Sequence, residues 1–126
     1  MPEQQVFSEH EAFFGKPYSK LNWVPWPGTN NTDVPSKKIL EITTLTLNYF
    51  PDSEGTVGRA NVCGRDVNAN AVWRLQIVYV APKKTVHLPF PKALKLEEGG
   101  YVEIGFVDDG PGTIFISANG TLTDVV

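Results

Sequence analysis

The 126-residue chain has one cysteine and two histidines, and that scarcity removes whole classes of chemistry. A single cysteine permits no intrachain disulfide, so neither a disulfide framework nor an oxidising compartment is indicated. Cys63, in "RANVCGR", has Arg59 and Arg65 nearby to lower its pKa, yet its flanks, Val62 and Gly64, favour an inert, buried thiol. His10 is followed by Glu11 with no second histidine three residues on, so no zinc helix is encoded. His87 lies in the strand-like "TVHLPF" and reads as hydrogen-bonded or solvent-facing. The chain also lacks an apolar run approaching the roughly 20 residues of a membrane helix. Its N-terminus has neither the basic start nor the apolar core of a signal peptide. The expectation is no catalytic residue, no metal, no cofactor and no membrane contact, with the compartment left open.

Helical periodicity is missing too. Only "SEHEAFF" (8–14) suits a short helical turn, with Ser8 capping and Glu11 three residues on. From residue 38 onward the pattern has period two. Val102, Ile104 and Phe106 alternate with Tyr101, Glu103 and Gly105. Trp73, Leu75, Ile77 and Tyr79 form one face of another strand, with Arg74 and Gln76 opposite. In "KILEITTLTLNYF" the phase slips: Leu40 and Ile42 share one parity, Leu45, Leu47 and Tyr49 the other. Such a slip at Thr43-Thr44 needs a bulge or a change of sheet. Turn chemistry recurs in "PDSEG", "GRDVNAN", "APKK", "EEGG" and "DDGPG", and Asn119-Gly120 reads as a hairpin. Short strands at this spacing predict an all-β fold: an antiparallel, jelly-roll-like sandwich.

Residues 1–37 differ in kind from the sandwich expected over 38–126. They hold six large aromatic residues broken by Pro17, Pro25, Pro27 and Pro35. Prolines lower the entropy lost in fixing an extended path, and docked aromatics supply attachment. An ordered, irregular arm is expected, wrapping its own sandwich to cover an edge strand or reaching a neighbouring subunit. Phe13, Phe14 and Tyr18 are candidate contacts of a homo-oligomer. Trp23, Trp26, Asn30, Asn31 and Asp33 are candidate ligand contacts, since tryptophan beside amides and a carboxylate suits a sugar. The alternative is that Trp23 and Trp26 simply anchor the arm.

Charge is unevenly spread. Residues 56–96 carry seven basic groups against Asp66, whereas 97–126 carry six acidic groups and no Lys or Arg. Pairing between neighbouring strands is the favoured explanation, with an anion-binding face or a subunit contact as alternatives. Arg59, Arg65, Arg74, Lys83 and Lys84 with Trp73 and Tyr79 list the ingredients of a nucleic-acid stacking platform. The parity of Trp73 and Tyr79 is opposite to Arg74, and the whole chain is acidic, so nucleic acid is not expected. "DDGPGT" lacks the spacing of a phosphate loop, Asp108 and Asp109 are too few ligands for calcium, and Glu97, Glu98 and Glu103 suit an acidic turn better than a glycosidase pair. The functional expectation is a non-enzymatic, self-associating interaction module for a glycan or cell-surface ligand. A structural part of a larger particle is the alternative, and an enzyme the third.

Overall fold

The computed structural model describes residues 3–26, 30–53, 57–82, 84–107 and 111–125. Eight strands form two four-stranded antiparallel sheets packed face to face. They are β1 (Gln4–Phe13), β2 (Ser19–Lys20), β3 (Lys38–Pro51), β4 (Gly58–Arg65), β5 (Ala71–Val80), β6 (Thr85–Leu96), β7 (Tyr101–Val107) and β8 (Gly112–Asp124). Sheet A has the order β1-β8-β3-β6 and sheet B the order β2-β7-β4-β5. The first strand pairs with the last, the second with the seventh, the third with the sixth and the fourth with the fifth. An antiparallel ribbon of four such pairs, rolled over itself, gives this order, and the sandwich is therefore jelly-roll-like.

Alternation sets the core. Leu40, Ile42, Leu45, Leu47 and Tyr49 of β3 face Val62, Val102 and Ile104 of sheet B, all buried. The phase slip in β3 is a bulge, not a change of sheet. Ile42 opposes Gly120 and Thr44 opposes Asn119, leaving Thr43 as the extra residue. Asn119-Gly120 is accordingly no hairpin; it lies inside β8, across from the bulge. A Cβ on Gly120 would sit 2.4 Å from the Glu41 carbonyl oxygen, so the kinked β3 backbone fits only against glycine. Asn119 completes the junction, its carbonyl accepting from Thr43 Oγ1 and its amide donating to Thr44 Oγ1, both at 3.2 Å.

Three other expectations are corrected. "SEHEAFF" is strand, because β1 pairs residue by residue with β8 from Gln4↔Leu122 to Phe13↔Thr113. The segment read as an irregular arm thus begins with a ten-residue strand. In β5, Ala60 opposes Val78 while Val62 opposes Leu75, so β5 carries an extra residue that reverses its phase. Tyr79 therefore points outward, 59% exposed, with the Arg59 guanidinium 5.8 Å from its ring. Asn61 caps this bulge: oriented to satisfy both ends, its NH2 donates to the Leu75 and Gln76 carbonyls at 3.1 and 2.8 Å and its Oδ1 accepts from the Tyr18 hydroxyl.

Several connections follow the turn chemistry. Asp66 Oδ1 accepts from the Asn68 and Asn70 N–H groups, each at 2.9 Å. Gly99 takes φ +79° in the β6–β7 turn, a conformation glycine adopts without strain. Residues 54–56, Lys83 and the Asp108-Asp109 turn lie outside the described residues, as does the side chain of Ile77. No helix among the described residues is long and apolar enough to cross a membrane.

Candidate functional site

The arm residues turn out to hold the arm. Trp23 is 1% exposed and stacks on the half-buried Trp26, centroids 6.0 Å apart. Val24 bridges to β1, its N–H and C=O bonding the Phe7 backbone at 2.7 Å each, so the arm covers an edge of its own sandwich. Asn30 Oδ1 accepts from the Thr32 N–H and hydroxyl at 3.0 and 2.9 Å, and the Asn31 carbonyl accepts from the Trp23 N–H. Asp33 pairs with Lys20 at 3.1 Å, and that ammonium lies over the Tyr101 ring. Of the five candidate ligand contacts, Trp23 offers solvent no stacking face. Asn30 and Asp33 are engaged in fastening the loop.

Phe14 packs edge-on against Phe106 at 6.0 Å, and Tyr18 lies where a Cβ on Gly105 would fall. Both therefore contact their own sandwich, while each remains nearly half exposed. Phe13 stands on the outer side of β1. The segmental charges pair in part across sheet B, where Arg65 Nε donates to Glu103 at 2.6 Å, and that bond raises the Arg65 pKa. Lys38 and Asp124 pair across β3 and β8 in sheet A.

The outer face of sheet A holds a concavity that sequence reading missed. In β1 and β8 the buried Ser8, Ala12, Ile114, Ile116 and Ala118 fix one parity, which sends Glu9, Glu11, Phe115 and Ser117 outward. Cross-strand register then aligns Glu9, Ser117, Thr46 and His87 in one row and Glu11, Phe115, Asn48 and Thr85 in the next. A row of four strands spans about 14 Å at the usual strand spacing. The groove over these rows has a volume of about 630 Å3 and is lined by Glu9, Glu11, Asn48, Phe115 and Ser117 among others. Phe115 is 39% exposed and is held by Phe50, whose ring meets it edge-on at 5.3 Å. Thr85 donates to Asn48 Oδ1, which holds the Asn48 amide in the groove, and beyond the groove Thr46 Oγ1 and His87 Nδ1 lie 2.9 Å apart. A signal existed in "TIFISA": Phe115 is out of phase with Ile114 and Ile116, so it had to face outward.

His10 also lines the groove, and its Nε2 lies 2.7 Å from Ser19 Oγ, which ties β1 of sheet A to β2 of sheet B. Burial lowers its pKa, an effect that the neighbouring Glu11 charge opposes. His87 and Cys63 stand on different sheets and are not brought together. Among the described residues no group of three or more His, Cys, Asp or Glu side chains could hold a metal ion. Comparison with known protein families finds no matching family model, and no curated protein matches the chain.

Proposed function

We propose that the protein is a non-enzymatic recognition module that binds a glycan or glycan-bearing surface ligand on the outer face of sheet A. The observation behind this reading is a 630 Å3 groove in which an exposed aromatic ring shares the floor with two carboxylates, an amide and a hydroxyl. A sugar ring presents an apolar face, which the Phe115 ring covers, and a rim of hydroxyls. Glu9 and Glu11 accept hydrogen bonds from such hydroxyls, while Asn48 both donates and accepts. The carboxylates disfavour an anionic sugar, so a neutral glycan is the class of choice. The groove is built on strands of a rigid sandwich, which keeps these groups in place without ordering a loop.

A second reading, a structural component of a larger assembly, is favoured by Phe13 and Phe50. They flank Thr113 in one cross-strand row and are 46% and 52% exposed. Jelly rolls serve both lectins and capsids, so the architecture does not choose between the two. No observation favours the third, an enzyme.

The test is a screen of the intact chain against neutral glycans, followed by calorimetric titration of any hit. Phe115→Ala and Glu11→Gln should each weaken binding about tenfold, as loss of one stacking or charge-assisted contact implies. Both side chains are exposed, so the fold should survive. Binding that is unchanged in Phe115→Ala, or absent from the whole screen, rejects the glycan reading. A solution mass far above a dimer would then support the assembly reading.

A further inference from the structure

The sandwich has four sheet edges, and three of them are protected. The β1 edge is bonded by Val24 through Phe7. The β6 edge carries Pro89 and Pro91 and loses its ladder between Pro89 and Leu94. β2 is two residues long. Proline, irregularity, shortness and a covering segment are the devices by which sheets avoid pairing with other chains. β5 is neither short, nor interrupted by proline, nor covered by another segment among the described residues; its two register shifts against β4 are the one such device it carries. It runs ten residues, "AVWRLQIVYV", without proline and with one charge, Arg74. Among the described residues nothing pairs with its far side.

We infer that β5 is a dimerisation edge, and that its occupant is β5 of a second copy, antiparallel about a two-fold axis through Leu75. The faces of β5 select that occupant. Ala71 lies opposite Arg65, and Tyr79 opposite Arg59, on the outer side. Trp73 and Leu75 line an apolar hollow with Leu21, Ile42 and Val62 on the inner side, which leaves Arg74 and Gln76 outside. Outward residues are therefore odd-numbered at both ends of the strand and even-numbered in its middle, because the register against β4 shifts at two places. A partner of regular alternation matches the ends or the middle, not both. A second β5 centred on Leu75 brings outward residues together in both regions, Ala71 across from Tyr79 and Arg74 across from Gln76, with the bulged Val72 left across from Val78. It also keeps the two Arg74 side chains from opposing each other, which like charges directly across a ladder disfavour.

Such a dimer merges the two B sheets into one of eight strands and closes, as a two-fold interface does. Because facing residues keep their side, both A sheets present their outer faces in the same direction. The pairing does not depend on the ligand proposed above.

Light scattering and sedimentation of the intact chain test it. The expected mass is twice 13.9 kDa. Gln76→Arg sets Arg against Arg74 of the partner subunit at two places and should weaken the dimer about tenfold or more. The double variant R74E/Q76R replaces both repulsions by attractions and should restore the dimer. Both positions are exposed, and circular dichroism confirms the fold of each variant. A monomeric intact chain overturns the inference, leaving β5 for another protein's strand. So does a dimer indifferent to Gln76→Arg, or one that R74E/Q76R fails to restore.

Discussion

On the solvent side of sheet A, Glu9, Glu11 and Glu41 sit among Thr46, Asn48 and Ser117; on that of sheet B, Arg59, Arg65 and Arg74 sit with Tyr79 and Tyr101. The inner sides differ as well. Sheet A presents branched aliphatics, with Leu40, Leu47, Ile114 and Leu122 at most 1% exposed. Sheet B brings glycines under aromatic rings. A Cβ on Gly64 would fall 2.2 Å from the Trp73 ring on the inner side, and one on Gly105 would fall 1.8 Å from Tyr18 on the outer side. The two sheets share a topology yet meet their surroundings by different means. A β-sheet's two faces are chosen independently, one by the core and the other by solvent or a partner.

The largest test of this contrast is a side chain packed against glycines of both sheets. The Tyr49 ring of β3 is fully buried and lies where Cβ atoms would fall on Gly58 of sheet B and Gly112 of sheet A. Tyr49→Ala should cost about 3–5 kcal/mol in urea unfolding, since a large cavity opens between the sheets. A value near 1 would mean that the sheets collapse onto each other. Next come the glycines of sheet B. Gly64→Ala forces a half-buried indole out of its place and should cost about 1–3 kcal/mol. Gly105→Ala meets the Tyr18 ring, which is 47% exposed and can move toward solvent at the loss of its one hydrogen bond to Asn61, so its cost should stay at or below about 1 kcal/mol. Equal costs at the two sites would show that exposure of the overlying ring does not decide.

The smallest effect concerns the bond between the sheets. Burial lowers the His10 pKa from its ordinary value of 6.5, so the folded state binds the proton less readily than the unfolded chain. The contribution is whole above pH 6.5 and is lost as the pH falls through the folded value. Glu98, whose pKa is lowered by hydrogen bonds from the Lys37 N–H and the Ser36 side chain, acts in a separate window below pH 4.5. The thermal midpoint should therefore fall as the pH is lowered through the upper window, and His10→Gln should flatten that slope alone. A slope unchanged in His10→Gln would place the titrating group elsewhere.

Period-two alternation by itself determined that the chain is an antiparallel sandwich, which residues of β3 and β7 enter the core, and that Thr43-Thr44 breaks the phase. Alternation carries this because burial acts on every second side chain whatever the partner strand. Asp66 and Gly99 likewise announced their turns through local hydrogen bonding and positive φ. What only the tertiary structure decided is how permissive local signals were used. Asn119-Gly120 tolerates a hairpin but serves as the flat place against the β3 bulge, because glycine permits a close approach as readily as a turn. "SEHEAFF" has no alternation strong enough to announce a strand, and β8 recruits it as one. Tyr79 changes face through a register shift set by β4. The groove joins Glu9 and Glu11 to Asn48 and Phe115 across three strands. Residues so distant in the chain become neighbours only through register, which long-range pairing fixes and no local pattern encodes.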